Sequence, residues 1–287
     1  MAAPAIALAG VTHHYGTKPA LDLDDLVIAP GSTAVLGPNG SGKSTLIRLL
    51  ATVSALQAGS LRVDGLDPNV VVERTRIRRR LGYQTQAGAL PPNMRVDAFC
   101  DYVGALKEIA EARHRRRWTH WVLNRVGLGD VARDRIRTLS GGMQRRVALA
   151  QALIGLPDLL LLDEPMTSLD AEQRANVAGI IGERAADATV VVTTHHPDDV
   201  AAVCARVIVL SRGRIVFTGT PADLAEQARG FVWETVTVPA GVTSRSVGAG
   251  RHRCVSPRPP VGADLVDPTV QDGYTVAVAR AGQDNGA

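Results

Sequence analysis

Apolar residues fall into short dense runs separated by stretches of helical period, a rhythm that predicts alternating strands and helices. Val27–Ile28 and Ser32–Leu36 read as strands, the second running into a glycine-rich loop. Leu46, Ile47, Leu49, Leu50 and Val53 then recur at helical spacing. Leu159–Leu162 is an unbroken leucine run, and Thr189–Thr193 is a β-branched one ending before His195. Such unalternating strands, with helices between them, imply a parallel sheet covered on both faces. Val207–Leu210 and Arg214–Phe217, joined through Ser211, Arg212 and Gly213, predict a hairpin. Ala5–Val11 has the apolar look of a leader but no basic residues before it, so it too reads as strand.

Two regions break the rhythm. Residues 97–137 are charged, arginine-rich and helical in pattern, which predicts a helical subdomain at about 87–157. Past Gly230, prolines and glycines punctuate a stretch with five basic and five acidic residues. The division expected is a main domain over 1–230 and a small accessory domain or tail over 231–287. Within that last stretch Tyr274–Ala279 reads as strand on propensity alone.

Composition narrows the classes. Hydrophobic residues are 45% and charged residues 21% of 287, an ordinary globular mixture able to build a core without staples. Cys100, Cys204 and Cys254 form no CxxC pair, which argues against a zinc site or a disulfide framework and for reduced thiols. No apolar run approaches the roughly 18–20 residues needed to span a bilayer. The net charge of +4 is unevenly spread. Residues 74–146 carry 17 Lys and Arg against 6 Asp and Glu, while the rest carries 15 against 22. The middle therefore either faces something anionic, with Arg113, Arg115, Arg116 and Arg117 as the densest cluster, or presents a solvated helix face. Aromatic residues are only 3%, too few for a base-stacking single-strand binder.

The sharpest chemical signal is Gly37, Pro38, Asn39, Gly40, Ser41, Gly42, Lys43, Ser44 and Thr45, which fits G-x-x-x-x-G-K-[ST]. Its glycines let successive backbone N–H groups turn inward on phosphate oxygens, and the following helix offers its positive end. Lys43 would reach the β- and γ-phosphates of a nucleotide, and Ser44 would hold Mg²⁺. The chain has 3 lysines against 29 arginines, so a lysine at this place is informative. The leucine strand supplies a second half: Asp163 at its end can organise Mg²⁺ and its water, and Glu164 can polarise an attacking water.

Leu139-Ser140-Gly141-Gly142-Met143-Gln144 resembles the signature motif of ATP-binding cassette (ABC) ATPases, with Met143 where a glutamine is usual. Physically, Ser140 can cap a helix running from Gly141 towards Gly155, leaving its positive end to face an anion. The resemblance covers about residues 5–225. Gly82-Tyr83-Gln84-Thr85-Gln86 is similar to the family's glutamine loop, with spacing favouring Gln86 over Gln84 as the residue near Mg²⁺ and water. Ser168-Leu169-Asp170 resembles the loop that communicates across the dimer. Thr193-Thr194-His195 resembles the switch histidine segment, with His196 as the alternative, and Tyr15 matches the aromatic that stacks on adenine.

The resemblance implies an α/β P-loop nucleotide-binding domain with a parallel sheet core, an N-terminal antiparallel β portion and a helical subdomain. It implies a homodimer or heterodimer of ATPase subunits around two Mg·ATP, each held between one phosphate loop and the partner's Ser140, Gly141 and Gly142. A separate transmembrane permease subunit would be driven, with the chain cytoplasmic and peripheral on the inner face of the membrane, an anionic membrane surface nearby and no nucleic acid. The stretch after Gln86, the Phe231-Val-Trp-Glu segment and Pro268-Thr-Val-Gln-Asp-Gly-Tyr274 resemble cassettes of multidrug- and antibiotic-type exporters, and for the last of these the resemblance favours helix over strand. Importer subunits share every motif. A soluble cassette acting on nucleic acid or ribosomes is the other alternative, with the basic middle segment as its one support.

Overall fold

The computed structural model describes residues 6–86, 90–167 and 169–283. The chain opens with β1 (Ile6–Tyr15), β2 (Lys18–Leu23) and β3 (Leu26–Ile28), then β4 (Gly31–Leu36), α1 (Lys43–Leu50) and β5 (Ala58–Val63). Strands β2, β3 and β5 all pair with β1 in antiparallel fashion. Next come α2 (Val71–Arg80), β6 (Leu81–Gln84), α3 (Val96–Leu106), α4 (Ala112–Arg125) and α5 (Gly141–Leu153). The chain then alternates through β7 (Leu159–Asp163), α6 (Ala171–Ala185), β8 (Thr189–Thr194), α7 (Pro197–Val203), β9 (Arg206–Ser211), β10 (Arg214–Gly219) and α8 (Pro221–Glu226).

A second sheet runs in the order β10-β9-β4-β8-β7-β6, with every pair parallel except the β9–β10 hairpin. Both faces are buried, which is why β7 and β8 read as continuous apolar runs. The side chains nevertheless divide by the period of two. Val35, Leu161, Val191 and Ile208 pack with α1 and the antiparallel sheet. Ala34, Leu160, Leu162, Val190 and Val209 pack on the other face with α5 and α6. Each such Val, Leu or Ile side chain contributes about 1.5–3 kcal/mol by leaving water. Parallel registry puts Leu36 beside Thr194 and Asp163 beside Thr193, so the motif-bearing strands end at one edge. Ligands of open parallel sheets bind beyond such carboxyl ends.

Two local expectations are corrected. Helix α1 ends at Leu50, and Val53 lies beyond it with its side chain exposed. Tyr274–Ala279 is not strand. After β11 (Val232–Thr235), β12 (Thr243–Gly248) and β13 (Arg251–Val255), it lies within α9 (Val270–Gln283). End chemistry and packing outweigh the Tyr and Val propensities there. Thr269 and Asp272 bond reciprocally at the helix start, Thr269 N–H donating to Asp272 at 2.8 Å and Asp272 N–H to Thr269 Oγ1 at 3.4 Å. Asp272 also accepts from Arg253 Nε at 2.9 Å, tying α9 to the three-stranded sheet β11-β13-β12. On its other side α9 lays Ala277, Tyr274 and Val278 against the main core. It crosses α8 so closely at Gly273 that a Cβ there would sit 1.7 Å from the Leu224 carbonyl oxygen.

Cys100, Cys204 and Cys254 are buried and unpaired, and burial pushes the Cys100 and Cys204 thiols up to about 12. Among the described residues no helix is long and apolar enough to cross a membrane.

Lys107 follows α3 and donates from Nζ to the Ile154 carbonyl at 2.7 Å. Burial lowers its pKa from 10.5 to about 8, so between those values the unfolded chain binds the proton more tightly than the folded one. Stability should therefore rise with pH across that window, by up to about 3 kcal/mol. The check is urea unfolding of wild type and Lys107→Met. The wild-type midpoint should gain on the variant's as pH climbs from 8 to 10.5, and parallel curves would remove the lysine as the cause.

Candidate functional site

The loop Gly37–Gly42 leaves β4 and feeds α1, whose first residue is Lys43. Gly42 takes φ +106°, a backbone angle closed to ordinary side chains. Lys43 is 5% exposed, and its Nζ donates to the carbonyls of Gly37 at 2.7 Å and Pro38 at 3.1 Å. Burial lowers its pKa, against the opposing pull of Glu164 and Asp163. The ammonium thus already faces the loop interior, where an anionic ligand would replace carbonyl dipoles with full charges.

A cleft of about 430 Å³ opens over this loop. It is lined by Tyr15, Asn39, Gly40, Gly42, Lys43, Ser44, Thr45, Gln86 and Glu164, together with Lys18, Pro19 and Ala20. Tyr15 stands at its rim, 51% exposed, with its ring edge-on to His13 at 5.0 Å. Gln84 is buried within β6, whereas Gln86 reaches the cleft. Lys18, Pro19 and Ala20 escaped the sequence reading because β2 carries no motif. The rarity of lysine is the one sequence signal that could have pointed to Lys18.

The carboxylates are held by a short network. Asp163 is 3% exposed, and burial raises its pKa against a hydrogen bond from Thr193 Oγ1 at 2.5 Å and another from Ser44. The same Thr193 hydroxyl accepts from the Glu164 N–H at 3.0 Å. Glu164 adopts φ +52°, a strained angle for a residue with a Cβ, of the kind that clusters at working sites. Its Oε1 lies 3.0 Å from His195 Nδ1, and its Oε2 accepts from Thr167 Oγ1 at 3.2 Å. His196 is exposed and stacks on His195, so His195 is the ring that meets the carboxylate. Thr193 and Thr167 are two further contributors that spacing alone did not single out as contacts.

Some expected residues do not join the cleft. Gly37, Pro38 and Ser41 form the back of the loop, with Ser41 N–H donating to the Pro38 carbonyl at 3.1 Å. Ser140 caps α5, accepting from the Met143 N–H at 3.3 Å, while Gln144 Nε2 donates back to the Leu139 carbonyl at 3.1 Å. Ser140 and Gly141 are exposed, and together with Gly142 they lie outside this cleft. Asp170 caps α6 through the Gln173 N–H at 2.8 Å, and Gln173 in turn lies beside Gly142. Arg145 on α5 donates to the Thr167 carbonyl, which joins the α5 end to the loop carrying Glu164. Ser168 and residues 87–89, between Gln86 and Leu90, lie outside the described residues.

The basic middle also resolves into particular contacts. Arg115 is withdrawn from the exposed cluster: its Nε meets Asp101 at 3.1 Å and its Nη1 donates to the carbonyls of Ile109 and Ala110 at 2.9 Å each. Arg113, Arg116 and Arg117 are exposed, with no ion pair among the described residues. Beside them Trp118 and Trp121 meet edge to face at 5.6 Å, and with His114, Arg117 and Leu156 they line an open hollow of about 500 Å³.

Comparison with known proteins bears on the family and the fold. Residues 24–167 match the family model described as ABC transporter. The daunorubicin resistance ATP-binding protein DrrA3 of Streptomyces coeruleorubidus is 36% identical over 252 residues, covering 86% of this chain and 78% of that one. The sulfate/thiosulfate import ATP-binding protein CysA 2 of Chromobacterium violaceum is 36% identical over 248 residues, covering 81% of this chain and 66% of the relative. Among solved structures, a dimeric post-hydrolysis state of the ATP-binding cassette MJ0796 bound to ADP and Pi superposes with TM-score 0.66 at 26% identity. That match covers 75% of this chain and 98% of the other.

Proposed function

This chain belongs to the ABC transporter family of ATP-binding subunits, and from that premise we propose that it drives export through a separate membrane permease. Two copies, or one copy and a homologue, would close around two ATP molecules. The observation that carries the reading is the division of the site. Lys43, Ser44, Gln86 and Glu164 share one cleft, while Ser140, Gly141 and Gly142 face outward at the capped end of α5. A second chain's Ser140, Gly141 and Gly142 would add further donors to a ligand held in the cleft.

Within a closed site the residues have separable tasks. Tyr15 offers a face to the base, and Lys43 with the backbone of the loop neutralises the phosphates. Glu164, held at both oxygens by His195 and Thr167, orients a water and accepts its proton as the bond to the γ-phosphorus forms. The bond from that phosphorus to the β-phosphate oxygen breaks, and ADP and phosphate leave. Ser44, Asp163 and Gln86 are hard oxygen donors converging beside the loop, a set that suits Mg²⁺ held partly by the substrate's phosphates. When bound there, Mg²⁺ would spread the charge that develops between the β- and γ-phosphates.

The export direction rests on the motif resemblance and on relatives named for daunorubicin resistance; relatives named for import keep the importer reading as its rival. The Arg113, Arg116 and Arg117 cluster with Trp118 and Trp121 has the make-up of an interfacial helix face, apolar rings flanked by unpaired cations. It would lie against anionic headgroups beside the permease. Changing the three arginines to glutamine should lower partition to anionic vesicles by up to about a hundredfold, at about 1 kcal/mol each. ATP affinity should stay unchanged, because none of the three lines the cleft. Tight binding of duplex DNA or ribosomes at physiological salt, with none of anionic vesicles, would favour the soluble alternative instead.

A further inference from the structure

The β9–β10 hairpin turns on Arg212 at φ +49° and Gly213 at φ +81°, the pair of positive angles a type I′ turn requires. Its tip does more than close the hairpin. The Gly213 N–H donates to the Ser41 carbonyl of the phosphate loop at 2.9 Å, and the Gly213 carbonyl accepts from the Asp22 N–H of β2 at 2.9 Å. Arg214 adds an ion pair to Asp22 at 2.5 Å. A single residue thereby joins two walls of the nucleotide cleft: the phosphate loop and the β1–β2 hairpin that carries Tyr15.

Packing at the same point is unusually close. The β1–β2 register shifts between His13 and His14, whose partners are Leu21 and Pro19, so Ala20 bulges from the ladder. Its carbonyl oxygen fills the space that two side chains would need. A Cβ on Gly42 would come within 2.6 Å of that oxygen, and a Cβ on Gly213 within 2.9 Å. Bulge, phosphate loop and turn meet at one atom. Tyr15 makes no hydrogen bond to the loop among the described residues, so its distance from the phosphates is set by the pairing of β1, by the Gln57 amide that bonds the His14 backbone, and by what holds β2.

We propose that Gly213 is a positioning residue for nucleotide binding, keeping the Tyr15 platform and the phosphate loop at the spacing of one nucleotide. The inference rests on the reading of this cleft as the ATP site and adds a contributor outside its motifs. Preorganisation of this kind raises affinity by removing an ordering cost from binding.

The test is a double-mutant cycle by calorimetry on the full chain, using ATP and inorganic tripolyphosphate as ligands. Wild type, Gly213→Ala, Tyr15→Ala and the double variant are compared, with melting temperatures recorded alongside. Gly213→Ala should weaken ATP by about tenfold yet change tripolyphosphate affinity less than about twofold. In the Tyr15→Ala background the second change should cost little more, a coupling of at least about threefold. Gly213→Asn carries the same Cβ but tolerates positive φ, so it supplies the same comparison if the alanine variant folds poorly. Additive losses, or equal losses for both ligands, would overturn the inference while leaving the ATP site standing. A wild-type chain that binds no ATP would overturn the underlying site reading as well.

Discussion

Lys43→Ala is expected to weaken ATP binding to the single chain by about 10–100-fold, whereas Ser140→Arg should leave it within about twofold. The first removes the buried ammonium that faces the loop interior, and a hydrogen bond to a charged group is worth about 1.5–3 kcal/mol. The second places a bulky cation at the exposed cap of α5, outside the cleft of its own chain. Its effect should appear only in the assembled site, as loss of the closed dimer and of hydrolysis. Calorimetry on dilute protein separates the two outcomes. Equal loss of single-chain affinity in both variants would place Ser140 in its own chain's site and contradict the division of labour.

Glu164→Gln should bind ATP at least as well as wild type but turn it over about 10²–10⁴ times more slowly, the usual loss when a general base is removed. The amide keeps the size of the side chain and can still meet His195 Nδ1 and the Thr167 hydroxyl. What it loses is the ability to take a proton from water, along with repulsion against the γ-phosphate. A single-turnover phosphate-release assay at saturating ATP reads the chemical step directly. Wild-type rates in that assay would move the base elsewhere.

Much of the site was legible because it is built from contiguous segments. The phosphate loop, the Leu159–Asp163 strand and the Thr193–His195 segment each carry residue type and spacing together, and parallel registry brings their ends to one edge. Contacts made across elements were not legible. Thr193 bridges Asp163 and the Glu164 backbone, and Lys18, Pro19 and Ala20 line the cleft from a strand with no motif. Gly213 reads in the sequence only as a turn glycine, because its partners Ser41 and Asp22 are distant in the chain. Tertiary contact likewise decided α9. Val and Tyr favour strand, but the Thr269–Asp272 cap and the tight crossing at Gly273 fix helix. The arginine cluster shows the same limit on a small scale: spacing could not tell that Arg115 turns inward to Asp101 while Arg113, Arg116 and Arg117 stay exposed.

If one chain holds half of each catalytic site, light scattering on Glu164→Gln with Mg·ATP will detect the pairing of two chains. A species of twice the 30.3 kDa chain mass is expected with ATP, a single-chain mass with ADP, and no ATP-dependent dimer once Ser140→Arg is added. A chain that stays single at saturating ATP, or a dimer indifferent to both nucleotide and Ser140→Arg, would contradict the shared site.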